Sequence, residues 1–414
     1  MSVEPALNDD LVSGFDLAKL PPIFFDDPYP YYRALREHAP VKQMPDGSWF
    51  LTRYSDILPV YRDAQAWSSD KQKEFGPKFG ASPLLEHHTS SLIFNDPPFH
   101  TRVRRMIIGA LSQRHIAAME PGLVTLVDSL LDEMANKGAV DLIEDFAAAI
   151  PIEVIGNLLD IPRENRGPLR AWSLAILGAL EPVLTPERAE AGNTAVREFI
   201  AYLVTLVDDR RAHPGNPDTD VLTRLIQGET DGERLTETEL YHQCIFLLNA
   251  GHETTTNLIG TALHALTAWP QEKARLVANL AEPVVVKSAV EEFLRFESSV
   301  QLGNRISTRE VEIAGVKMPP DSRVTICIGG ANRDPAQFPD PDRLDIMREP
   351  NKHIAFAFGI HTCAGMNLAR LEARVALAKF LKRFPGYALT GESTMGGRAR
   401  FRGYLHLPCI VEPA

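Results

Sequence analysis

Apolar side chains recur at helical spacing through much of the chain. One clear example is the set Leu123, Leu126, Val127, Leu130, Leu131 and Met134. Such i, i+3, i+4 periodicity is typical of amphipathic helices, and it predicts a mainly helical region from about residue 97 to 270. The pattern also predicts a long helix starting near Thr236, a helix over 282–296 and a helix of about 18 residues after Cys363.

Strand signals are fewer and shorter. Residues 48–54 alternate like a strand, and residues 300–330 and the tail after Pro385 read as short strands and turns. Residues 68–95 are rich in Gly, Pro, Ser and Lys without periodicity, which predicts a long loop. We therefore expect a mainly α chain with minor β structure. Because no linker stands out, a single domain over 1–414 is expected.

The composition excludes several classes of protein. With 44% hydrophobic and 23% charged residues, the chain is an ordinary globular one, and its net charge of −11 argues against a nucleic-acid partner. The four widely spaced cysteines form no CxxC pair, which fits a reducing cytoplasm. Met1–Leu20 lacks signal-peptide features, and no run of about 18 apolar residues occurs. We expect a cytoplasmic protein without a membrane partner.

A glycine-punctuated loop carries the most informative cysteine. Phe356, Gly359 and Gly365 surround Cys363, and a segment of helical composition follows directly. A thiolate at a helix start is stabilised by backbone N–H groups and by the helix dipole, and it is a good soft ligand for haem iron. A buried free cysteine is the alternative that Cys363 alone leaves open.

A second unusual stretch lies within the predicted long helix. The segment 249–256 reads Asn-Ala-Gly-His-Glu-Thr-Thr-Thr, in which glycine and three threonines weaken a helix. A threonine hydroxyl can compete for the i−4 carbonyl and bend the helix. Glu253 followed by Thr254 is a plausible proton relay. A threonine-rich helix with a solvated glutamate is the alternative.

Together the two stretches resemble the cytochrome P450 family. Phenylalanine seven residues before Cys363, glycine four before it and glycine two after it match the family's haem-ligand loop, whereas Ala357 stands where the family usually has glycine. Ala250, Gly251, Glu253 and Thr254 match its oxygen-binding segment. The resemblance runs in family order from Phe24 to the cysteine loop, and it implies a helix-rich, triangular single domain with small sheets.

The resemblance also implies the site residues. Cys363 would be the axial ligand of haem b iron, Thr254 would hydrogen-bond the oxygen species and Glu253 would supply the proton through water. The implied cofactor contacts are His100, Arg104, Ala250, Gly251, Arg305, Phe356, Gly359, His361, Cys363 and Gly365, of which His100, Arg104, Arg305 and His361 would meet the haem propionates. Glu292, Arg295 and Arg343 match a structural group of the family.

The implied activity is that of a soluble bacterial haem-thiolate monooxygenase. It would insert one atom of O2 into a small apolar or aromatic substrate, with electrons from ferredoxin and ferredoxin reductase. Arg102, Arg105 and Arg370 are candidates for the acidic carrier's docking surface, although a solvated face is as good an explanation. A haem-thiolate sensor or storage protein, a peroxide-driven enzyme and a helical protein without cofactor are the rival classes.

The substrate pocket is the least specified part. By family position it would be lined by residues from 68–95, about 172–184, 245–254 and 298–304. Its apolar candidates are Phe75, Phe79, Leu84, Leu85, Leu177, Leu248 and Leu302. Its polar candidates are Asn249, Gln301 and Asn304, and Lys71, Lys73 and Lys78 are candidates for attracting a carboxylate. Each of these residues is equally compatible with a core or solvated position.

Overall fold

The computed structural model describes residues 11–217, 220–230 and 233–413. The chain divides into two compact units. The first unit comprises Met1–Ser69, Thr261–Cys363 and Ser393–Leu405, and the second comprises Asp70–Gly260, Ala364–Glu392 and His406–Ala414. The expected single domain over 1–414 stays a prediction. The expectation that no signal peptide is present concerns Met1–Leu20. Residues 1–10 of that segment lie outside the described residues.

The first unit combines short helices with most of the β structure. Its helices are α1 (Pro22–Asp26), α2 (Tyr29–His38), α3 (Tyr54–Arg62), α13 (Pro270–Ala278), α14 (Pro283–Phe296) and α15 (Ile328–Ala331). Its strands are β1 (Val41–Gln43), β2 (Trp49–Leu51), β3 (Trp67–Ser68), β7 (Leu302–Ser307), β8 (Val311–Ile313), β9 (Val316–Met318), β10 (Arg323–Cys327), β12 (Thr394–Met395) and β13 (Tyr404–His406).

A five-stranded sheet organises the first unit. Its order is β1-β2-β10-β7-β3, with β10 parallel to β2 and the other neighbours antiparallel. Apolar side chains pack on it in two clusters. One cluster contains Leu51, Ile57, Tyr61, Val324 and Ile354, and the other contains Phe24, Tyr32, Phe50, Leu302 and Cys327. Strands β2 (Trp-Phe-Leu) and β10 (Arg-Val-Thr-Ile-Cys) lie inside the sheet and are mostly buried, which suits their aromatic and β-branched residues.

The second unit is mostly helical. Its helices are α4 (Gln72–Phe79), α5 (Pro83–Ser90), α6 (Phe99–Ala110), α7 (Gln113–Lys137), α8 (Ala149–Leu158), α9 (Leu169–Gly178), α10 (Pro186–Ala212), α11 (Val221–Gln227), α12 (Glu237–Ala268, of which the last residues belong to the first unit) and α16 (Met366–Arg383). Its strands are β4 (Ala139–Asp141), β5 (Glu229–Thr230), β6 (Glu233–Arg234), β11 (Ala388–Leu389) and β14 (Pro408–Ile410).

Most of the predicted elements are confirmed. The long helix starts at Glu237, the helix predicted over 282–296 runs from Pro283 to Phe296, and the helix after Cys363 has 18 residues. The strand predicted over 48–54 is shorter, because Tyr54 already begins α3. None of the helices among the described residues is long and apolar enough to cross a membrane.

The long loop predicted over 68–95 is wrong. Helices α4 and α5 occupy most of this stretch. Ser82 caps α5 by accepting a hydrogen bond from the Leu85 amide at 3.3 Å, and Pro83 takes the first helical position. Serine followed by proline is a helix-start signal. Gly76 and Pro77 hid the helical pattern of α4 because they interrupt its periodicity.

A fully buried ion pair shapes the irregular segment 332–352. Arg295 donates from Nε and Nη2 to the two carboxylate oxygens of Glu292, each at 2.7 Å, and neither side chain is exposed. Arg295 also donates to the carbonyls of Asn332 and Pro341 at 2.9 and 2.8 Å. Burying charges is tolerable when all their hydrogen-bonding atoms are satisfied, as they are here.

The third member of this group is Arg348 rather than Arg343. Arg348 Nε lies 3.2 Å from Glu292 Oε1, and its side chain is 8% exposed. The side chain of Arg343 is exposed, and only its carbonyl takes part, accepting from Arg295 and Arg348 at 3.2 and 3.0 Å. The expectation for Arg343 was wrong because the irregular chain between residues 343 and 348 turns back, so sequence order did not reveal which arginine points inward.

The ordered segment leads directly to the cysteine loop. The Asn332 side chain accepts a hydrogen bond from the Ile354 amide at 2.8 Å, and the Ile354 carbonyl accepts from the Ala357 amide at 2.9 Å. His353 lies 3.0 Å from Glu291 on α14. The buried ion pair therefore positions, through these contacts, the loop that carries Cys363.

The two arginines give a direct stability test. Arg348→Ala should lower the free energy of unfolding by about 2 kcal/mol, because it removes a charged partner of buried Glu292. Arg343→Ala keeps the main-chain carbonyl, so it should change the free energy of unfolding by less than about 0.5 kcal/mol. Urea unfolding of both variants measures the difference. Equal losses would contradict the assignment of Arg348.

Candidate active site

The cysteine loop is a compact turn that ends two residues before the N-cap of α16. A short 3₁₀ turn spans Gly359–His361, and the Cys363 amide donates to the Phe356 carbonyl at 2.9 Å. The Thr362 hydroxyl donates to the Gly359 carbonyl at 2.8 Å. Cys363 is half-buried, whereas the other three cysteines are buried. The loop thus carries a half-buried cysteine on an internally hydrogen-bonded backbone.

Gly359 fixes the loop against the end of α3. Its φ is +75°, and a Cβ there would lie 2.1 Å from the Tyr61 carbonyl oxygen. Both facts demand glycine, since a side chain would be strained and would clash with backbone. Gly359 was predicted as a cofactor contact, and the structure gives it a packing role within the protein.

Ala357 adopts a left-handed conformation with φ +56°. An L-residue with a Cβ loses roughly 1–2 kcal/mol in this region. The departure from the usual glycine was expected to reshape the loop slightly, yet the backbone keeps a conformation that glycine favours. The hydrogen bond from the Ala357 amide to the Ile354 carbonyl helps to hold Ala357 in this conformation.

Gly365 differs from Gly359 because its surroundings are open. A Cβ at Gly365 would meet no described heavy atom within 4 Å, and its φ of −88° suits any residue. A glycine without a steric or conformational reason in the protein leaves room for another group beside the N-terminus of α16.

Two predicted propionate contacts lie in the first unit. The Arg305 guanidinium lies 5.3 Å from the centre of the Tyr61 ring and donates to the Asn304 carbonyl at 2.8 Å. His361 is half-buried within the 3₁₀ turn of the cysteine loop. Because Tyr61 contacts Arg305 through its ring and faces Gly359 through its carbonyl, the first unit brings Arg305 and the loop to the same end of α3.

The predicted oxygen segment lies on α12 in the second unit. Thr254 donates its hydroxyl hydrogen to the Ala250 carbonyl at 2.8 Å, which confirms the predicted i−4 bond. Ala250 is exposed and Thr254 half-exposed, whereas Glu253 is 1% exposed. A Cβ on Gly251 would lie 2.5 Å from Ile155 Cδ1, so this glycine permits close packing of α8. One turn of α12 therefore shows an open face with a hydroxyl on it.

The other two propionate candidates lie on α6 of the second unit. His100 is 2% exposed and Arg104 is half-buried, one turn further along. Arg102, which was a candidate for the carrier's docking surface, instead pairs with Glu239 at 2.5 Å, with each side chain 17% exposed. That pair anchors α6 to the start of α12. Arg105 is exposed and Arg370 half-buried.

Several pocket candidates have partners inside the protein. Lys71 is 3% exposed and pairs with Glu74 at 2.9 Å, and Lys78 donates to the Glu181 carbonyl at 2.6 Å. Asn304 is bonded to Thr325 and Arg400. Of the three lysines only Lys73 is exposed. Lys71 is thus better explained as part of a local ion pair than as an attractant for substrate.

Sequence reasoning missed three buried histidines in the second unit. His87 and His88 on α5 and His242 on α12 are each 1–2% exposed, and their rings lie near one another. The available signal was the His-His pair inside an apolar stretch. It went unnoticed because residues 68–95 were interpreted as a loop.

Comparisons with known proteins agree with this geometry. The family model for cytochrome P450 matches residues 173–387. 6-Deoxyerythronolide B hydroxylase of Saccharopolyspora erythraea is 36% identical and aligns over 94% of this chain and 97% of its own. Vitamin D(3) 25-hydroxylase of Pseudonocardia autotrophica is also 36% identical, over 94% and 95%. The structure of P450BioI with an acyl carrier protein ligated to hexadec-9Z-enoic acid matches with a TM-score of 0.88, at 31% identity, over 94% and 100%.

The chain belongs to the cytochrome P450 family. Members of this bacterial family are monooxygenases that bind haem b through a cysteine thiolate and use O2, an organic substrate and redox partners. The predicted family, mainly α fold, enzyme class and cofactor are therefore confirmed.

The described residues fit a haem. Cys363 is half-buried, Gly365 has open space where a side chain would be, and Ala250 leaves a turn of α12 uncovered. A thiolate is the soft ligand that haem iron takes in this family. Arginine and histidine suit the two propionates, because charge-assisted hydrogen bonds offset the cost of burying carboxylates.

The two glycines of the loop should respond differently to alanine. Gly359→Ala should lower the free energy of unfolding by on the order of 2 kcal/mol, because of the clash with Tyr61 and the positive φ. Gly365→Ala should leave it nearly unchanged but reduce the haem bound per chain, because its methyl enters the open space. Urea unfolding and haem content by absorbance separate the effects. Loss of stability in Gly365→Ala with full haem content would refute this distinction.

Proposed function

We propose that this chain hydroxylates an apolar organic molecule, with Cys363 as the haem ligand and Glu253 and Thr254 as the proton-handling pair. The overall reaction consumes O2, two electrons and two protons, puts one oxygen atom into a C–H bond and releases the other as water. The observation that carries the proposal is half-buried Cys363 in an internally hydrogen-bonded loop, together with the open, hydroxyl-bearing turn of α12.

Cys363 has the first role. When bound, haem supplies the oxygen activation, which a thiolate ligand favours by pushing electron density towards the iron. The loop's part is to hold the sulfur in one place. The hydrogen bond from the Cys363 amide to the Phe356 carbonyl, the close approach of Gly359 to Tyr61 and the hydrogen bonds of Ile354 support this part of the backbone.

Thr254 and Glu253 have the second role. Oxygen cleavage needs protons delivered in the correct order, and a positioned acid supplies them faster than bulk water does. The hydroxyl of Thr254 lies on the open turn, and the buried carboxyl of Glu253 is its neighbour in sequence. We assign Thr254 to hydrogen-bonding at the oxygen site and Glu253 to proton transfer through water.

His100, Arg104, Arg305 and His361 have a binding role. We assign them to the haem propionates, which would otherwise bring two negative charges into a partly buried site. Arg305 is oriented by the Tyr61 ring and by the Asn304 carbonyl. Phe356, Ala250, Gly251 and Gly365 complete the proposed contacts with the macrocycle.

Electrons have to arrive from another protein. We propose a ferredoxin and its reductase as the donors, since a separate acidic carrier suits a monooxygenase that contacts it through basic side chains. Arg105 is exposed and remains a candidate contact, whereas Arg102 is engaged by Glu239.

The substrate should be mainly apolar. Phe75, Leu84, Leu177 and Leu248 are buried among the second unit's pocket candidates, in keeping with an apolar lining. Relatives named as hydroxylases of 6-deoxyerythronolide B and vitamin D(3), together with a neighbour bound to a fatty acyl carrier, support an apolar skeleton for this chain's substrate as well.

A carbon monoxide spectrum tests the assignment of the ligand. The reduced wild-type protein with carbon monoxide should show a strongly red-shifted Soret band, and Cys363→Ser should abolish it because a serine oxygen is not a thiolate. Cys409→Ser, which changes a buried cysteine of the second unit, is the matched control and should keep the band. An unshifted band in the wild type, or an unchanged band in Cys363→Ser, would refute the proposal.

Thr254→Ala tests the proton-handling pair. Product formed per electron consumed should fall by about 10- to 100-fold, with hydrogen peroxide released instead, because an ordered proton donor is lost. Thr256→Ala is the control, since Thr256 makes the same kind of i−4 bond, to the His252 carbonyl at 2.9 Å, but is buried. Product, peroxide and reductant are measured together. Equal coupling in wild type and Thr254→Ala would point to a peroxide-driven enzyme or a sensor.

A further inference from the structure

Three buried imidazoles and one carboxamide form a polar cluster in the second unit. The ring of His87 lies 5.0 Å from that of His88 and 5.5 Å from that of His242, measured between ring centres. The Asn249 side-chain nitrogen lies 3.5 Å from His87 Nε2. All four side chains are at most 3% exposed. The cluster joins α5 to α12.

The cluster has hydrogen-bonding capacity that the protein does not use. His87 Nδ1, His88 Nε2, His242 Nδ1 and Asn249 Oδ1 are shielded from solvent and have no hydrogen-bond partner among the described residues. Leaving a buried polar atom without a partner is costly, and native structures hold few such atoms. Four of them in one place point to a ligand with polar atoms of its own.

The surroundings of the cluster are mostly aromatic. The His88 ring lies between 5.2 and 5.7 Å from the rings of Phe75, Phe79 and Phe94. Gln243 of α12 fixes the end of α5 by accepting from the Leu92 amide at 3.1 Å and donating to the Ser90 carbonyl at 2.6 Å. A ligand here would therefore contact a few polar atoms surrounded by apolar aromatic side chains.

The histidines are uncharged at neutral pH. Burial lowers the pKa of His88 to about 3 and that of His242 to about 4, and it lowers the pKa of His87 well below its usual range. A neutral imidazole has one donor and one acceptor nitrogen. Such a set suits a hydroxyl or carbonyl group. Lys78, whose charge also lowers the pKa of His88, donates to the Glu181 carbonyl at 2.6 Å, so a buried carboxylate would have to compete with that carbonyl for its charged partner.

The cluster is close to the catalytic segment along α12. His242 and Asn249 are seven residues apart and so share a helix face. Asn249 precedes Thr254 by five residues, a rise of about 7.5 Å. The two residues are also about 140° apart around the helix axis, so a molecule held by its oxygen at Asn249 has to curve round α12 for its apolar part to reach the open turn that carries Thr254.

We propose that His87, His88, His242 and Asn249 form a subsite that binds an uncharged hydroxyl or carbonyl oxygen of the substrate. The inference rests on the proposed function, because it concerns the molecule that the enzyme oxidises. Since the four polar atoms are shielded in this conformation, binding requires the imidazole rings to rotate or α5 to shift. The substrate is then an apolar skeleton that already carries one oxygen function several bonds away from the carbon to be oxidised.

Matched probes test the subsite in the haem-loaded protein. The probes are dodecane, dodecan-1-ol and dodecanoic acid, then adamantane, 1-adamantanol and 1-adamantanecarboxylic acid, then cyclohexylbenzene, 4-cyclohexylphenol and 4-cyclohexylbenzoic acid. Affinity is measured by calorimetry and by the spin-state shift of the haem. On at least one skeleton the alcohol should bind about tenfold more tightly than both the hydrocarbon and the acid, since a hydrogen bond to a buried partner is worth about that much.

The variants His87→Leu and Asn249→Leu should lose that tenfold preference and keep their affinity for the hydrocarbon. His87→Gln retains a donor and an acceptor and should keep part of the preference. Within the described residues, each leucine substitution breaks the long 3.5 Å contact between Asn249 Nδ2 and His87 Nε2. The thermal unfolding temperature of both leucine variants should therefore fall by only a few degrees, whereas a merely structural histidine would lose more stability. His115→Leu, which changes a histidine at the start of α7, is the matched control and should retain the preference.

Three results would overturn the subsite. They are no alcohol preference on any skeleton, as expected if ordered water alone fills the cluster; a preference for the acids; and an alcohol preference that survives in both leucine variants. Failure of the proposed function is distinguishable, because it would remove the red-shifted carbon monoxide band whatever the calorimetry shows.

Discussion

A buried guanidinium determines the path of the chain segment that leads to Cys363. Arg295 donates two hydrogen bonds to Glu292. It also donates to three backbone carbonyls of a segment without regular structure. Because an unpaired buried charge costs several kcal/mol, the segment has few alternative paths. The Asn332 side chain accepts a hydrogen bond from the Ile354 amide, and the cysteine loop begins two residues later, at Phe356. The position of the thiol thus depends on a charge pair that never touches it.

Regular periodicity allowed most of the helices to be predicted, and irregular structure accounts for the errors. The helix after Cys363 had the predicted length because nothing interrupts its apolar spacing. Residues 68–95 were misjudged because Gly76 and Pro77 lie inside a helix, where their usual effect is to end one. Arg343 was chosen in place of Arg348 because only the folded path of an irregular segment determines which of two nearby arginines points inward.

The candidate site shows the same division. Motif spacing was enough to select Cys363, Glu253 and Thr254, since their chemistry depends on residue type and order. Gly359 and Gly365 could not be told apart by sequence, because one is required by a neighbouring carbonyl and the other faces open space. The histidines of α5 and α12 are about 155 residues apart in sequence, so no local pattern connects them. Their association is purely a consequence of tertiary packing.

The Thr254 hydroxyl has one hydrogen, and in this structure the Ala250 carbonyl holds it. Towards a group bound at the open turn, the hydroxyl can therefore act only as a hydrogen-bond acceptor. To donate a hydrogen bond to such a group, the hydroxyl has to break its bond to the Ala250 carbonyl, which lies inside α12 and remains a helical acceptor. The direction of the Thr254 hydroxyl therefore depends on which acceptor, the Ala250 carbonyl or a bound group, competes better for its single hydrogen.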